Sequence, residues 1–121
     1  MKILGIGTDI IEIERIARTV KDNPRFAERI FTKRELDYCL GKKSRKAHLA
    51  ARFAAKEAVG KAIGRPLAWQ EVEIVNGENG KPIVRLSGKA KHAAAGCWVM
   101  ISISHSRDYA TATALLVTID E

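Results

Sequence analysis

The chain has 121 residues, 46% of them hydrophobic and 29% charged, with a formal net charge of +7. Such a length buries about two-thirds of the unfolded surface, enough for one core, so a single domain over 1–121 is expected, and the composition is too apolar for a disordered tail. Apolar runs fall far short of a membrane span, and no basic stretch leads into an apolar core with a small-residue cleavage site, so neither a membrane partner nor a secretory leader is expected.

Residues 2–8 read as a strand in which Gly5 and Gly7 permit close backbone approach. Ile13, Ile16, Ala17 and Val20 repeat at helical spacing over 12–20, and Asp22-Asn23-Pro24 breaks the pattern. Thr32-Lys33-Arg34-Glu35 is a capping box, so a helix starts near 33, and Gly41 ends it. Residues 45–63 form the longest predicted helix, with seven alanines, closed by Gly64-Arg65-Pro66. The second half changes character. Strands are predicted over 69–76 and 83–87 around a turn-rich segment containing Asn79-Gly80-Lys81-Pro82. A short helix over 89–95 follows, then strands over 97–105 and 109–119 joined at Arg107-Asp108. Helices first and strands later imply an α+β fold with a mainly antiparallel sheet.

The charge is concentrated. Residues 12–62 hold 14 Lys/Arg against 7 Asp/Glu, while the rest of the chain balances to zero. A localised positive field favours an anionic partner: nucleic acid, a phosphorylated small molecule or an acidic protein. Aromatic residues, at 6%, are too sparse for a good base-stacking surface. Cys39 and Cys97 form no CxxC pair, which argues against a zinc site or a disulfide scaffold and for a reducing, cytoplasmic setting.

Three places carry residues suited to chemistry. Asp9 ends the first strand beside apolar Ile10 and Ile11; it reads either as a cap or as a metal ligand or base on a backbone that glycines bring close to a ligand. Gly5-Ile6-Gly7 lacks the third glycine of a dinucleotide fingerprint. Glu57 and Lys61 lie four apart on one helix face, shared with Ala50, Phe53 and Ala54. They form either a plain surface pair or a carboxylate for a divalent cation beside an ammonium for a phosphate. His105 ends Ser102-Ile103-Ser104-His105-Ser106. Alternation turns it toward the side of Ile101 and Ile103, as a buried histidine or as a proton carrier or phosphate contact.

Four blocks in order resemble the holo-[acyl-carrier-protein] synthases, the short homotrimeric class of 4′-phosphopantetheinyl transferases. They are Gly5-Ile6-Gly7-Thr8-Asp9-Ile10, the run from Arg52 to Lys61, Asn79-Gly80-Lys81-Pro82, and Ser102-Ile103-Ser104-His105-Ser106. The resemblance implies transfer of 4′-phosphopantetheine from coenzyme A to a serine of an apo acyl carrier protein, in fatty acid biosynthesis, releasing adenosine 3′,5′-bisphosphate. It implies that Asp9 and Glu57 ligate Mg²⁺ (or Mn²⁺), that Lys61 contacts phosphates, and that His105 lies near the coenzyme A phosphates, contributed by a neighbouring subunit of a trimer. Gly80, Lys81 and Pro82 would lie by the adenine. The serine proton has two candidate acceptors, Glu57 itself and a water on the metal.

The basic segment then has a specific use. Arg15, Arg25 and Arg29 are expected to meet acidic carrier residues, with Ile16 or Thr19 as apolar contacts. Lys43, Arg45, Lys46 and Arg52 are expected toward the 3′-phosphate of coenzyme A. One departure from the family pattern is the short passage Ala62-Ile63-Gly64-Arg65-Pro66-Leu67 where many members carry a longer glycine-rich loop. Two readings compete. A basic nucleic-acid-binding domain explains the charge but leaves Asp9, Glu57 and the serine-rich strand idle. A two-carboxylate phosphohydrolase uses the same residues but needs no acceptor protein. The transferase reading expects no nucleic-acid partner.

Overall fold

The computed structural model describes residues 1–118. In chain order these form β1 (Ile3–Glu12), α1 (Ile13–Asp22), α2 (Pro24–Ile30), α3 (Lys33–Leu40), α4 (Arg45–Ile63), β2 (Val72–Asn76), β3 (Pro82–Leu86), α5 (Gly88–Ala94), β4 (Trp98–His105) and β5 (Tyr109–Val117). Short 3₁₀ turns at Trp69–Glu71 and Glu78–Gly80 bracket β2. All strand pairs are antiparallel, in a three-stranded sheet ordered β1-β5-β4 and a two-stranded sheet β2-β3. This is the expected α+β class, with the antiparallel strands split between two sheets.

Helix α4 is the central packing element. Its alanines at 50, 54, 55 and 58 are fully buried together with Val59, and the three-stranded sheet answers with Ala110, Ala112 and Ala114, also buried. Small residues on both sides bring helix and sheet close. The closest approach is made by β1. A Cβ at Gly5 would stand 2.0 Å from the Ala62 carbonyl oxygen, and one at Gly7 would stand 2.1 Å from that of Ala58. The two glycines therefore let the strand lie on the α4 backbone; the close approach is to the helix rather than to a ligand.

Most predicted elements are present, with informative differences. Strand β1 runs on to Glu12 because it stays paired with β5 down to Glu12 opposite Tyr109. Residues 69–71 wind into a 3₁₀ turn before β2 begins. The missed element is α2, started by Pro24 and capped by the Asn23 side chain, which accepts from the Phe26 N–H. Its C-terminal end is held from outside: the Gln70 amide donates to the carbonyls of Glu28, Arg29 and Phe31. Residues 119–121, the end of the last predicted strand, lie outside the described residues. Among the described residues no helix is long and apolar enough to cross a membrane.

Candidate active site

The helix α4 and strand β1 bring the three expected residues together. Lys61 Nζ lies 3.3 Å from Asp9 Oδ1 and donates a 3.0 Å hydrogen bond to the Thr8 carbonyl. Thr111 Oγ1 donates to the Asp9 carbonyl at 2.8 Å, fixing the backbone beneath the carboxylate. The Asp9 side chain is sheltered at 16% exposure while Lys61 reaches out to it from solvent at 56%. Glu57 completes the group, one helical turn before Lys61. Its carboxyl is pushed above the ordinary carboxylate range, first by burial and then by the negative charge of Asp9, with Lys61 partly opposing. Two carboxylates thus line one cleft, with the Lys61 ammonium against Asp9.

That donor set fits a hard divalent cation. Two oxygens that repel each other are relieved by a dication, and Mg²⁺ commonly takes one or two carboxylates plus substrate phosphates and water. Among the described residues no group of three or more His, Cys, Asp or Glu is placed to hold a metal ion.

Glu57 lines two clefts. One, of about 400 Å³, is shared with Asp9, Arg15, Ile16, Thr19 and Phe53. The other, of about 420 Å³, is rimmed by Lys61 and by Gly64-Arg65-Pro66-Leu67, the short passage noted above. Arg15, Arg25 and Arg29 are all exposed, and Arg15 opens onto the same cleft as Asp9. Ile16 corrects the sequence reading. It is buried in the core cluster under α1 and cannot serve as an exposed carrier contact, whereas Thr19 is half-buried, with its hydroxyl donated to the Arg15 carbonyl at 2.8 Å.

A second group gathers at the other end of α4. Alternation does place His105 on the sheet face of Ile101 and Ile103, but the strand end runs past the core and the residue is exposed, not buried. Its ring meets His48, at 5.9 Å between centroids and 69° between planes. His48 in turn meets Tyr38 edge-on at 5.6 Å. Arg52 stacks over Tyr38 at 4.6 Å, and Lys42 at 4.7 Å. Arg52 also departs from expectation: it is 5% exposed, inside the fold rather than on the charged surface. Its guanidinium bonds the Asn76 side-chain oxygen, while Nε has no partner. Asn76 donates to the Gly80 carbonyl at 2.9 Å, so the Asn79-Gly80-Lys81-Pro82 turn is tied back to α4 through Arg52. Both Asn79 and Gly80 adopt left-handed backbone, which is why this turn carries Asn-Gly. Gly80 and Lys81 are exposed and Pro82 is half-buried. Lys43 and Arg45 are exposed at the start of α4, whereas Lys46 is engaged by Glu14 of α1.

Within one chain the two groups stay apart. Asp9 pairs with Ala112 and His105 with Ala110 across β5; two strand spacings and two residues separate their Cα atoms by about 12 Å. The helix gives the same answer, since nine residues from His48 to Glu57 span about 13 Å.

Sequence reasoning missed His48, Tyr38 and Glu35. Glu35 was read only as a capping residue. It does cap, accepting from the Thr32 N–H at 2.8 Å, but its fully buried carboxylate also takes Lys56 Nζ at 2.7 Å and the Ile74 N–H at 2.7 Å. It thereby bolts α3 to α4, next to Glu57, and to β2.

The chain is similar to known proteins along nearly its whole length. Residues 5–114 match the model of the 4′-phosphopantetheinyl transferase superfamily. A holo-[acyl-carrier-protein] synthase of Protochlamydia amoebophila is 51% identical over 117 residues, covering 93% of this chain and 96% of the relative. One from Clostridium novyi is 44% identical over 120 residues, covering 94% and 87%. Among solved structures, the holo-ACP-synthase of Plasmodium yoelii superposes with a TM-score of 0.87 at 36% identity, covering 98% of each chain. The Bacillus anthracis holo-(acyl-carrier-protein) synthase, solved in complex with CoA (3′,5′-ADP), superposes at 0.83 and 36% identity, covering 97% and 98%. With matches that span nearly the whole chain, the chain belongs to the 4′-phosphopantetheinyl transferase superfamily.

Proposed function

We propose that this chain is a holo-[acyl-carrier-protein] synthase: one phosphopantetheinyl transferase domain that moves the 4′-phosphopantetheine arm of coenzyme A onto a serine of an apo acyl carrier protein. The observation that carries the reading is the meeting of Asp9, Glu57 and Lys61 where β1 lies on α4. The near full-length relatives named above, and the coenzyme A complex among them, support it.

Asp9 and Glu57 would hold Mg²⁺ or Mn²⁺. When bound, the cation neutralises charge on the coenzyme A pyrophosphate and on the departing bisphosphate. Lys61 adds a point charge at the phosphates, held by Thr8 and Asp9 so that little reorganisation is needed. The serine oxygen forms a bond to the near phosphorus, the pyrophosphate P–O bond breaks, and adenosine 3′,5′-bisphosphate leaves. Glu57, a carboxylate lining the cleft beside Asp9, would accept the serine proton. Arg15, beside the cleft, with Arg25 and Arg29 on α2, offers positive charge to an acidic carrier protein. Lys43, Arg45 and the turn at Gly80-Lys81-Pro82 are left for the adenosine and 3′-phosphate end.

The protein is read as a homotrimer with sites at subunit interfaces. The outer face of the three-stranded sheet is apolar and uncovered: Ile6 is 66% exposed, Ile10 64% and Trp98 60%. A patch of that kind marks an interaction surface. The separation of about 12 Å between Asp9 and His105 in one chain is what a site completed by His105 of a neighbouring subunit would require. We place the enzyme in the cytoplasm, in fatty acid biosynthesis.

The test is intact mass spectrometry of an apo acyl carrier protein incubated with this chain, coenzyme A and Mg²⁺. A phosphopantetheine-sized gain on the carrier serine is expected, lost with a chelator and in Asp9→Ala and Glu57→Ala. Splitting of coenzyme A without carrier labelling would instead point to a hydrolase. No change across several carriers would sink the transferase reading.

A further inference from the structure

The His48 ring has no part in the transferase scheme above, yet it is the only side chain whose ring meets that of His105 among the described residues. His105 itself makes no side-chain hydrogen bond there and ends an exposed strand, so by itself its imidazole would sample several rotamers. His48 stands on α4, a rigid element, and is braced on its other side by Tyr38 of α3. The stack Tyr38–His48–His105 therefore fixes an exposed ring from the protein interior outward.

We propose that His48 is a positioning residue for His105: it holds the His105 imidazole at the end of the α4–sheet seam for a phosphate-bearing ligand, and binding of that anion is coupled to proton uptake at His48. The inference rests on the coenzyme A reading for the identity of the anion.

Electrostatics support the second half. The titratable and charged groups facing His48 are Tyr38 of α3, Lys42 of the α3–α4 connection, Arg52 of α4 and His105 of β4. None of them is a carboxylate. Partial burial first, then the charges of His105, Arg52 and Lys42, hold the His48 imidazole below its ordinary range. Two imidazolium rings at this distance, with two further cations beside them, repel. A phosphate placed against His105 cancels that repulsion and lets His48 take up a proton. Ligand binding is then linked to proton uptake at His48, and affinity rises as pH falls through the interval between its free and bound values.

The experiment has two arms. In the first, imidazole C–H resonances of the three histidines are titrated in the ligand-free protein by NMR. The His48 midpoint is expected below that of an ordinary imidazole. It should move measurably upward in His105→Asn, and on adding adenosine 3′,5′-bisphosphate to the wild type. A His48 midpoint unmoved by both changes would overturn the coupling of anion binding to proton uptake at His48. In the second arm, steady-state transfer is measured for His48→Ala and His48→Phe. Loss of one aromatic edge contact predicts a KM for coenzyme A roughly 2- to 10-fold higher in His48→Ala with kcat held. His48→Phe, which keeps the wall and loses the proton, should restore KM at neutral pH but flatten its fall toward acidic pH. Equal KM in the two variants, or a loss confined to kcat, would overturn the positioning role. Failure of the transferase reading looks different: the wild type itself would label no carrier, while the titrations would still read out.

Discussion

Glu57 shows how function and stability pull against each other at one side chain. Its carboxyl is raised by burial and by Asp9, so the folded protein binds a proton there more tightly than the unfolded chain does. In the interval between the ordinary value and the raised one, the folded state holds more protons, and stability contributed at this position falls as pH rises through it. Below the ordinary value the group is protonated in both states and costs nothing. Glu57→Gln keeps the shape and removes the charge. In metal-free buffer it should melt at a higher temperature than wild type at pH 7 and at the same temperature below about pH 4, with a gain at neutral pH on the order of 1 kcal/mol or less, since the group is partly open to solvent. Thermal melts across that range, run beside the carrier-labelling assay, are expected to show a more stable protein with its transfer activity abolished. A neutral-pH melting point below wild type would show that the two carboxylates are not in conflict.

At the scale of elements, the decisive contact is a strand lying on a helix backbone. A Cβ at Gly7 would stand 2.1 Å from the Ala58 carbonyl oxygen, which neither α4 nor a three-stranded sheet can yield cheaply. Gly7→Ala should therefore lift β1 from α4, cost about 2–4 kcal/mol, and draw Asp9 away from Glu57. Gly60, on the same helix, is the control: a Cβ there would find its nearest neighbour, the Arg65 carbonyl oxygen, at 3.7 Å, an ordinary contact. Gly60→Ala should stabilise by roughly 0.5–1 kcal/mol through helix propensity alone. Urea denaturation of the pair checks both signs. The same contrast explains what was legible in the sequence. Features written in local spacing could be read: the Thr32–Glu35 capping box, the helix from 45 to 63, the Asn-Gly turn, and Glu57 with Lys61 on one face. Features that depend on distant partners could not. Helix α2 is short and is completed by Gln70, some forty residues on. The other two bonds of Glu35 come from 21 and 39 residues away. His48 looked like one polar residue on an alanine-rich helix until β4 brought His105 to it. Arg52 groups with Lys43, Arg45 and Lys46 in the sequence because nothing local reveals that Tyr38 and Asn76 enclose it.

At the scale of the molecule, the question is whether one chain is a whole enzyme. The outer face of the sheet, where Ile6 and Ile10 are exposed, has no cover among the described residues. Asp9 and His105 sit about 12 Å apart, Cα to Cα, on the opposite, helix-facing side. The proposed trimer, in which the Asp9 group of one subunit meets His105 of the next, would account for both. Ile6→Lys should then convert the trimer to monomer by sedimentation, with the fold retained by circular dichroism and the transfer activity lost. A sharper consequence concerns mixtures. Asp9→Ala and His105→Ala are each expected to be inactive or nearly so when assembled alone. Unfolded together in equal amounts and refolded, they form trimers in which some interfaces pair an intact Asp9 with an intact His105. Random assembly in a cyclic trimer restores such a site at about a quarter of the interfaces. Recovered transfer near that fraction would show that catalysis is divided between chains. No recovery, from mixtures proven by mass to contain both variants in one oligomer, would place His105 and Asp9 of the same subunit in a single site and require the seam along α4 to close by a movement within the chain.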